Sequence, residues 1–126
     1  MQTPKREYDG EHLLSAPLLK FSIDKEVDRL KTEPTWADGD RNAITLQKNS
    51  KLRVVLITMR KGASLKEHKV EGPITIFVLS GKIIFSTGDD KINMSGNELI
   101  VLEKTIPHDV EALEDSSFIL TIIQPK

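Results

Sequence analysis

Two histidines, His68 and His108, are the side chains whose type and spacing can do chemistry in this 126-residue chain. Each closes a block opened by glycine. The first block is Gly62, five residues, then His68, followed by the apolar run Ile74-Thr75-Ile76-Phe77-Val78-Leu79-Ser80 that ends at Gly81. The second is Gly96-Asn97, an apolar run from Leu99 to Leu102, then Ile106-Pro107-His108. Free imidazole titrates near ~6.5, so either ring can serve as a general base at neutral pH or bind a metal ion. The bland alternative is a pair of inert, hydrogen-bonded rings. The third histidine, His12, lies in a polar tail and reads as a solvated surface residue. With no cysteine in the chain, thiolate nucleophiles, disulfides and zinc–thiolate sites are excluded.

The elements that must position these histidines are short strands. From Asn42 onward, apolar and polar residues alternate between punctuating turns. The pattern predicts strands at about 43–48, 52–59, 74–80, 82–87, 91–95, 98–102, 108–113 and 117–123. Ser80-Gly81 and Asp89-Asp90 read as tight hairpin connections. Eight short strands without intervening helices imply an all-β antiparallel sandwich or jelly-roll barrel. Residues 1–41 read differently, as a polar arm, a short strand over Leu18–Ile23 and a short helix over 25–31. Asp24 stands at the N-cap and Pro34 ends the helix. The expected organisation is therefore an N-terminal segment at 1–41 and a barrel domain at 42–126. Trp36 reads as a core anchor, and Phe21, Phe77, Phe85 and Phe118 as inter-sheet core.

Composition narrows the function classes. The chain is 38% hydrophobic and 29% charged, ordinary for one globular domain. A net charge of −1 without a basic stripe argues against nucleic acid. No leader-like or membrane-spanning apolar run is present, so a cytoplasmic protein without a membrane role is expected.

The stretch from Gly62 to Ala112 resembles the cupin superfamily of small conserved β-barrels. That family's first motif is G-x5-H-x-H-x3-E-x6-G. Here Gly62, His68 and Gly81 fall in register, while Val70 stands at the second histidine position and Ile74 at the glutamate position. In the second motif, G-x5-P-x-G-x2-H-x3-N, His108 is retained. Asn97 stands at the first glycine, Thr105 at the inner glycine and Ala112 at the final asparagine. Asparagine tolerates positive φ better than other non-glycine residues, so the turn can survive. The resemblance implies a double-stranded β-helix, or jelly-roll, barrel preceded by an arm and a short helix. The whole plan is similar to small bacterial single-domain cupins with no assigned reaction.

In metal-binding cupins three histidines and a glutamate converge on one divalent ion. This chain keeps two of the four, His68 and His108, which the resemblance marks as residual ligands for iron, manganese, nickel, copper or zinc. Valine and isoleucine coordinate nothing. Strand alternation with both histidines inward places Val70, Ile74, Ile76, Val110 and Ala112 around them. The same alternation turns Glu67, Lys69, Asp109 and Glu111 away. Glu71, at a turn, is the one nearby acid that escapes this argument. An apolar cavity with two polar groups is the usual make-up of a small-molecule site, and equally of a closed core. The leading expectation is a small-molecule-binding protein with a degenerate metal site and no certain cofactor. The competing one is a metal-dependent dioxygenase or isomerase using His68, His108 and a third ligand. A ligand-sensing module acting through a partner is the third. A homodimer is expected, with Leu18–Ile23 adding to a sheet edge.

Overall fold

The computed structural model describes residues 14–68, 72–103 and 106–124, with Glu67 and His68 by backbone alone. The expectations for His12, Val70 and Glu71 lie outside the described residues. Two helices, α1 (Ile23–Thr32) and α2 (Pro34–Ala37), precede nine strands. These are β1 (Arg41–Lys48), β2 (Leu52–Met59), β3 (Ser64–His68), β4 (Ile74–Ser80), β5 (Lys82–Ser86), β6 (Lys91–Ser95), β7 (Leu99–Leu102), β8 (His108–Ala112) and β9 (Ser116–Ile123). They form a five-stranded sheet in the order β1-β2-β9-β4-β7 and a four-stranded sheet in the order β3-β8-β5-β6. Every pairing within the sheets is antiparallel.

The sheets enclose one apolar core. Val55, Ile57 and Met59 from β2, Ile74, Ile76 and Val78 from β4, and Phe118 and Leu120 from β9 fill one side. Leu65, Ile83, Phe85, Val110 and Ala112 fill the other. Period-two alternation produces this sorting, because a strand with one buried face must place every second residue there. It also corrects the aromatic set. Phe85 and Phe118 are core, whereas Phe77 alternates out of phase with buried Ile76 and Val78, and Phe21 packs in a separate cluster.

That second cluster docks α1 on the outer face of the five-stranded sheet. Leu30, Val27 and Ile23 meet Ile44, Leu46 and Leu56. The helix starts at Ile23 after Ser22, two residues earlier than expected, and carries Asp24 and Glu26 in its first turn and Arg29 and Lys31 in its last, matching its dipole. The expected strand over 18–23 does not form. Residues 18–22 make no strand, Leu18 is 87% exposed, and Phe21 and Ile23 spend their apolar surface on the helix cluster instead. Pro34 does end α1, and it also opens the one-turn α2 at the position where a missing N–H costs nothing. Trp36 of α2 is buried. Arg60 stacks over its ring at 4.2 Å and donates to the Trp36 carbonyl at 3.1 Å.

Asn42 ties this layer to the barrel. Its fully buried amide donates to the Leu30 carbonyl and to Glu33 Oε1, each at 2.9 Å, and its oxygen accepts from the Ala43 N–H at 2.9 Å. Asn42→Ala removes all three bonds and leaves the Leu30 carbonyl only the longer, 3.4 Å bond from the Glu33 N–H. We expect a loss of about 2–4 kcal/mol, given the cost of unsatisfied buried groups. Urea unfolding measures that loss, and amide exchange should show α1 opening before the sheets. Unchanged α1 protection would disprove the tie.

Two further expectations are corrected. Ser80-Gly81 is not a hairpin, because β4 and β5 belong to different sheets. It is the corner where the chain crosses between them, and Gly81 takes φ +87° there. The turn after β5 is a hairpin as expected: Thr87 N–H reaches the Asp90 carbonyl at 2.9 Å, and Thr87 Oγ1 accepts from the amides of Asp89 and Asp90. The ninth strand, β3, was not expected as a strand at all, although it carries His68.

Candidate functional site

The register brings the two histidines together. β3 and β8 are antiparallel neighbours, and His68 is the direct backbone partner of His108. A register break makes this possible. Leu65 pairs with Val110 and His68 with His108, so Lys66 and Glu67 together span the single residue Asp109. Strict alternation from Leu65 does not carry through such a bulge, because the extra residue shifts the phase of the strand.

His108 opens β8 and is 2% exposed. Its ring stacks on Phe85, with centroids 5.4 Å apart and planes 22° from parallel. Nδ1 lies 3.1 Å from the Ile106 carbonyl oxygen. A carbonyl only accepts, so in the neutral ring Nδ1 carries the proton and Nε2 is left as an acceptor. Nε2 is buried and has no hydrogen-bond partner. Such orphans are rare in native proteins because their desolvation is uncompensated.

A pocket of about 360 Å³ lies beside this ring, between the Ser86–Asp89 turn and the 106–109 segment. Of the seven pocket residues expected from the sequence, His108 lines it. Ile74, Ile76, Val110 and Ala112 are buried in the inter-sheet core. Asp109, expected to face away, also lines the pocket, and its Oδ1 is a second buried atom without a partner. The pocket thus sets two unmatched acceptors beside the apolar edges of Ile106 and Pro107.

Among the described residues the donor set does not complete a metal site. The two further ligand positions hold Val70 and Ile74, neither of which has a lone pair to give, and Ile74 is sealed in the core. Among the described residues no three histidine, aspartate or glutamate side chains are grouped to hold an ion.

Two antiparallel sheets closed on a common core, with histidines paired at one end, define a jelly-roll barrel of the double-stranded β-helix kind. The chain belongs to the cupin family: the model described as Cupin domain matches residues 55–123, over half its length. Among solved structures it is similar to a conserved protein of unknown function from Streptococcus pyogenes, at 19% identity and TM-score 0.68, covering 92% of this chain and 94% of that one. It is also similar to an RmlC-like cupin from Desulfovibrio desulfuricans, at 24% identity and TM-score 0.62, covering 91% and 100%. Both likenesses show the fold alone. A Cupin 2 conserved barrel domain protein from Leptotrichia buccalis is 26% identical with TM-score 0.65, covering 69% of this chain and 42% of that one. Among curated proteins nothing matches the chain. No helix among the described residues is long and apolar enough to cross a membrane.

Proposed function

We propose that this cupin binds a small organic molecule, without a resident metal, at the barrel end where His108 is buried. The observation that carries this reading is His108 Nε2, an acceptor held in the barrel with its tautomer set and no partner. A ligand hydroxyl or amine would satisfy it. Asp109 Oδ1 offers a second acceptor on the same pocket, and the hydrocarbon rim suits a ligand with an apolar body. Metal-dependent dioxygenase or isomerase chemistry has less support, because aliphatic side chains stand where two ligands are needed.

Elemental analysis and thermal unfolding test the reading together. The purified protein should hold no stoichiometric metal after exposure to iron, manganese, nickel, copper and zinc, and excess EDTA should leave Tm unchanged. A bound ligand at one hundred times its Kd should add about 2.7 kcal/mol of stability, visible as a rise of several degrees in the presence of EDTA. Retention of about one metal per chain, with Tm falling on chelation, would overturn the metal-free reading.

A further inference from the structure

The α1 layer covers only part of the outer face of the five-stranded sheet. Its cluster ends at Val54, Leu79 and Ile119. Beyond it, Phe77, Thr75 and Thr121 are half-buried, and Ile123, Leu99 and Val101 are 43%, 56% and 60% exposed. The register joins these residues into one surface. Leu99 stands opposite Phe77, Val101 opposite Thr75, and Thr75 opposite Thr121. Directly opposite residues share a face. None of the six is charged, in a chain of which 29% is charged. The edge strand β7 is apolar throughout, Leu99-Ile100-Val101-Leu102. A strand apolar on both faces belongs where both are covered, and an edge without charges invites a further partner.

The same chain exposes an apolar segment. Leu14-Ser15-Ala16-Pro17-Leu18-Leu19 is uncharged, lies outside helix and strand, and holds Leu18 at 87% exposure. This segment does not reach the bare face of its own molecule. Leu14 is fixed at β1, where its carbonyl accepts from the Lys48 N–H at 2.7 Å. In the order β1-β2-β9-β4-β7, four inter-strand steps of about 4.8 Å place β7 about 19 Å from β1. Leu18 follows Leu14 by four residues, a reach of at most about 14 Å. The α1 cluster also occupies the sheet surface between them.

An exposed arm and an exposed face that cannot meet within one molecule can meet between two. Reciprocal exchange closes on a two-fold axis, each arm covering the other copy's face. Both surfaces are uncharged and the chain carries a net charge of only −1, so neither local nor overall repulsion opposes the contact. The Thr75 and Thr121 hydroxyls at the middle of the face both donate and accept, which suits the main chain of an extended arm. We propose that residues 14–19 of a second copy dock on β7 and β4 of the first, forming a reciprocal homodimer in which Leu18 packs against Leu99 and Val101.

Sedimentation and light scattering across micromolar to submillimolar concentrations read the assembly, and the unaltered chain should be a dimer. Leu18→Asp and Val101→Asp change exposed side chains, so each should leave the fold and its Tm nearly unchanged. Each should nevertheless weaken the dimer by at least about tenfold. Leu18→Lys combined with Val101→Asp in one chain should recover part of that loss, because each arm then brings a cation to the other copy's carboxylate. In a mixture of isotope-labelled and unlabelled chains, methyl contacts between Leu18 and Val101 should be intermolecular. A monomer at every concentration overturns the proposal and leaves the face to a different protein. A dimer that neither aspartate disturbs lies elsewhere on the surface and overturns it as well. Loss of the dimer in only one of the two variants overturns the pairing of arm with face. Growth beyond the dimer with concentration overturns the reciprocal two-fold arrangement.

Discussion

Gly81→Ala should cost about 3–5 kcal/mol, much of the stability of a domain this size. Two effects add. The backbone at Gly81 has φ +87°, where a Cβ atom costs about 1–2 kcal/mol. The new Cβ would also run into Ser116 Oγ and the Asp115 carbonyl oxygen, and lie 2.7 Å from Ser116 Cα. None of these can retreat cheaply. Ser116 is buried, and its hydroxyl donates to the Glu114 carbonyl at 2.7 Å and accepts from the Lys82 N–H at 3.0 Å. That hydroxyl fastens the corner where the chain crosses from one sheet to the other, so displacing it disturbs both. Gly62 supplies the control. It has nearly the same φ, +88°, but nothing lies within 4 Å of a Cβ built there. Gly62→Ala should therefore lose only the backbone term, about 1–2 kcal/mol. Urea unfolding of both variants separates strain from collision. Equal losses at the two glycines would show that the contacts with Ser116 and Asp115 relax freely.

The glycines also show what was legible in the sequence. The resemblance to the cupin motifs marks Gly62, Gly81 and Asn97 as glycine positions, and all three take positive φ, with Asn97 at 67°. The barrel was legible for a similar reason: strands such as Ile74–Ser80 alternate cleanly because one face is buried. The illegible parts are those where this coupling fails. Ser64-Leu65-Lys66-Glu67-His68 has a single apolar residue, pairs on one side only and contains a register break, so no period of two survives in it. Leu18–Ile23 has strand-like composition, but its apolar side chains are taken by the α1 cluster. Ser80-Gly81 has the composition of a hairpin, and nothing local states that the next strand belongs to the other sheet.

At the site, His108 was marked by motif spacing and Ile74 by its aliphatic side chain at a ligand position. Asp109 keeps the face opposite His108, Val110 and Ala112, as alternation requires, and it reaches the pocket because the pocket lies at the strand's end beside the Ser86–Asp89 turn. Arg53 stands out by its phase on β2. It keeps phase with Val55, Ile57 and Met59, so it is a charge at a position the pattern reserves for the core.

At His108 the largest functional effect should come with a stability change of opposite sign. His108→Phe removes the buried orphan acceptor, keeps an aromatic ring against Phe85 and gives up one hydrogen bond to a carbonyl of the exposed residue Ile106. An unsatisfied buried group costs about 1–3 kcal/mol, whereas a typical intact hydrogen bond contributes about 1 kcal/mol net. The ligand-free variant should therefore gain about 1 kcal/mol while losing the ligand-induced rise in Tm. His108→Ala should lose the same response but destabilise by about 3 kcal/mol, because truncating a stacked, buried ring leaves a cavity. The contrast isolates the nitrogen from the ring, since the alanine variant removes both and the phenylalanine variant only the nitrogen. Active-site groups commonly persist at a cost to stability because ligand contact needs them. A loss above about 1 kcal/mol in His108→Phe would mean that Nε2 has structural work in the free protein. A surviving ligand response in that variant would move the binding site away from His108.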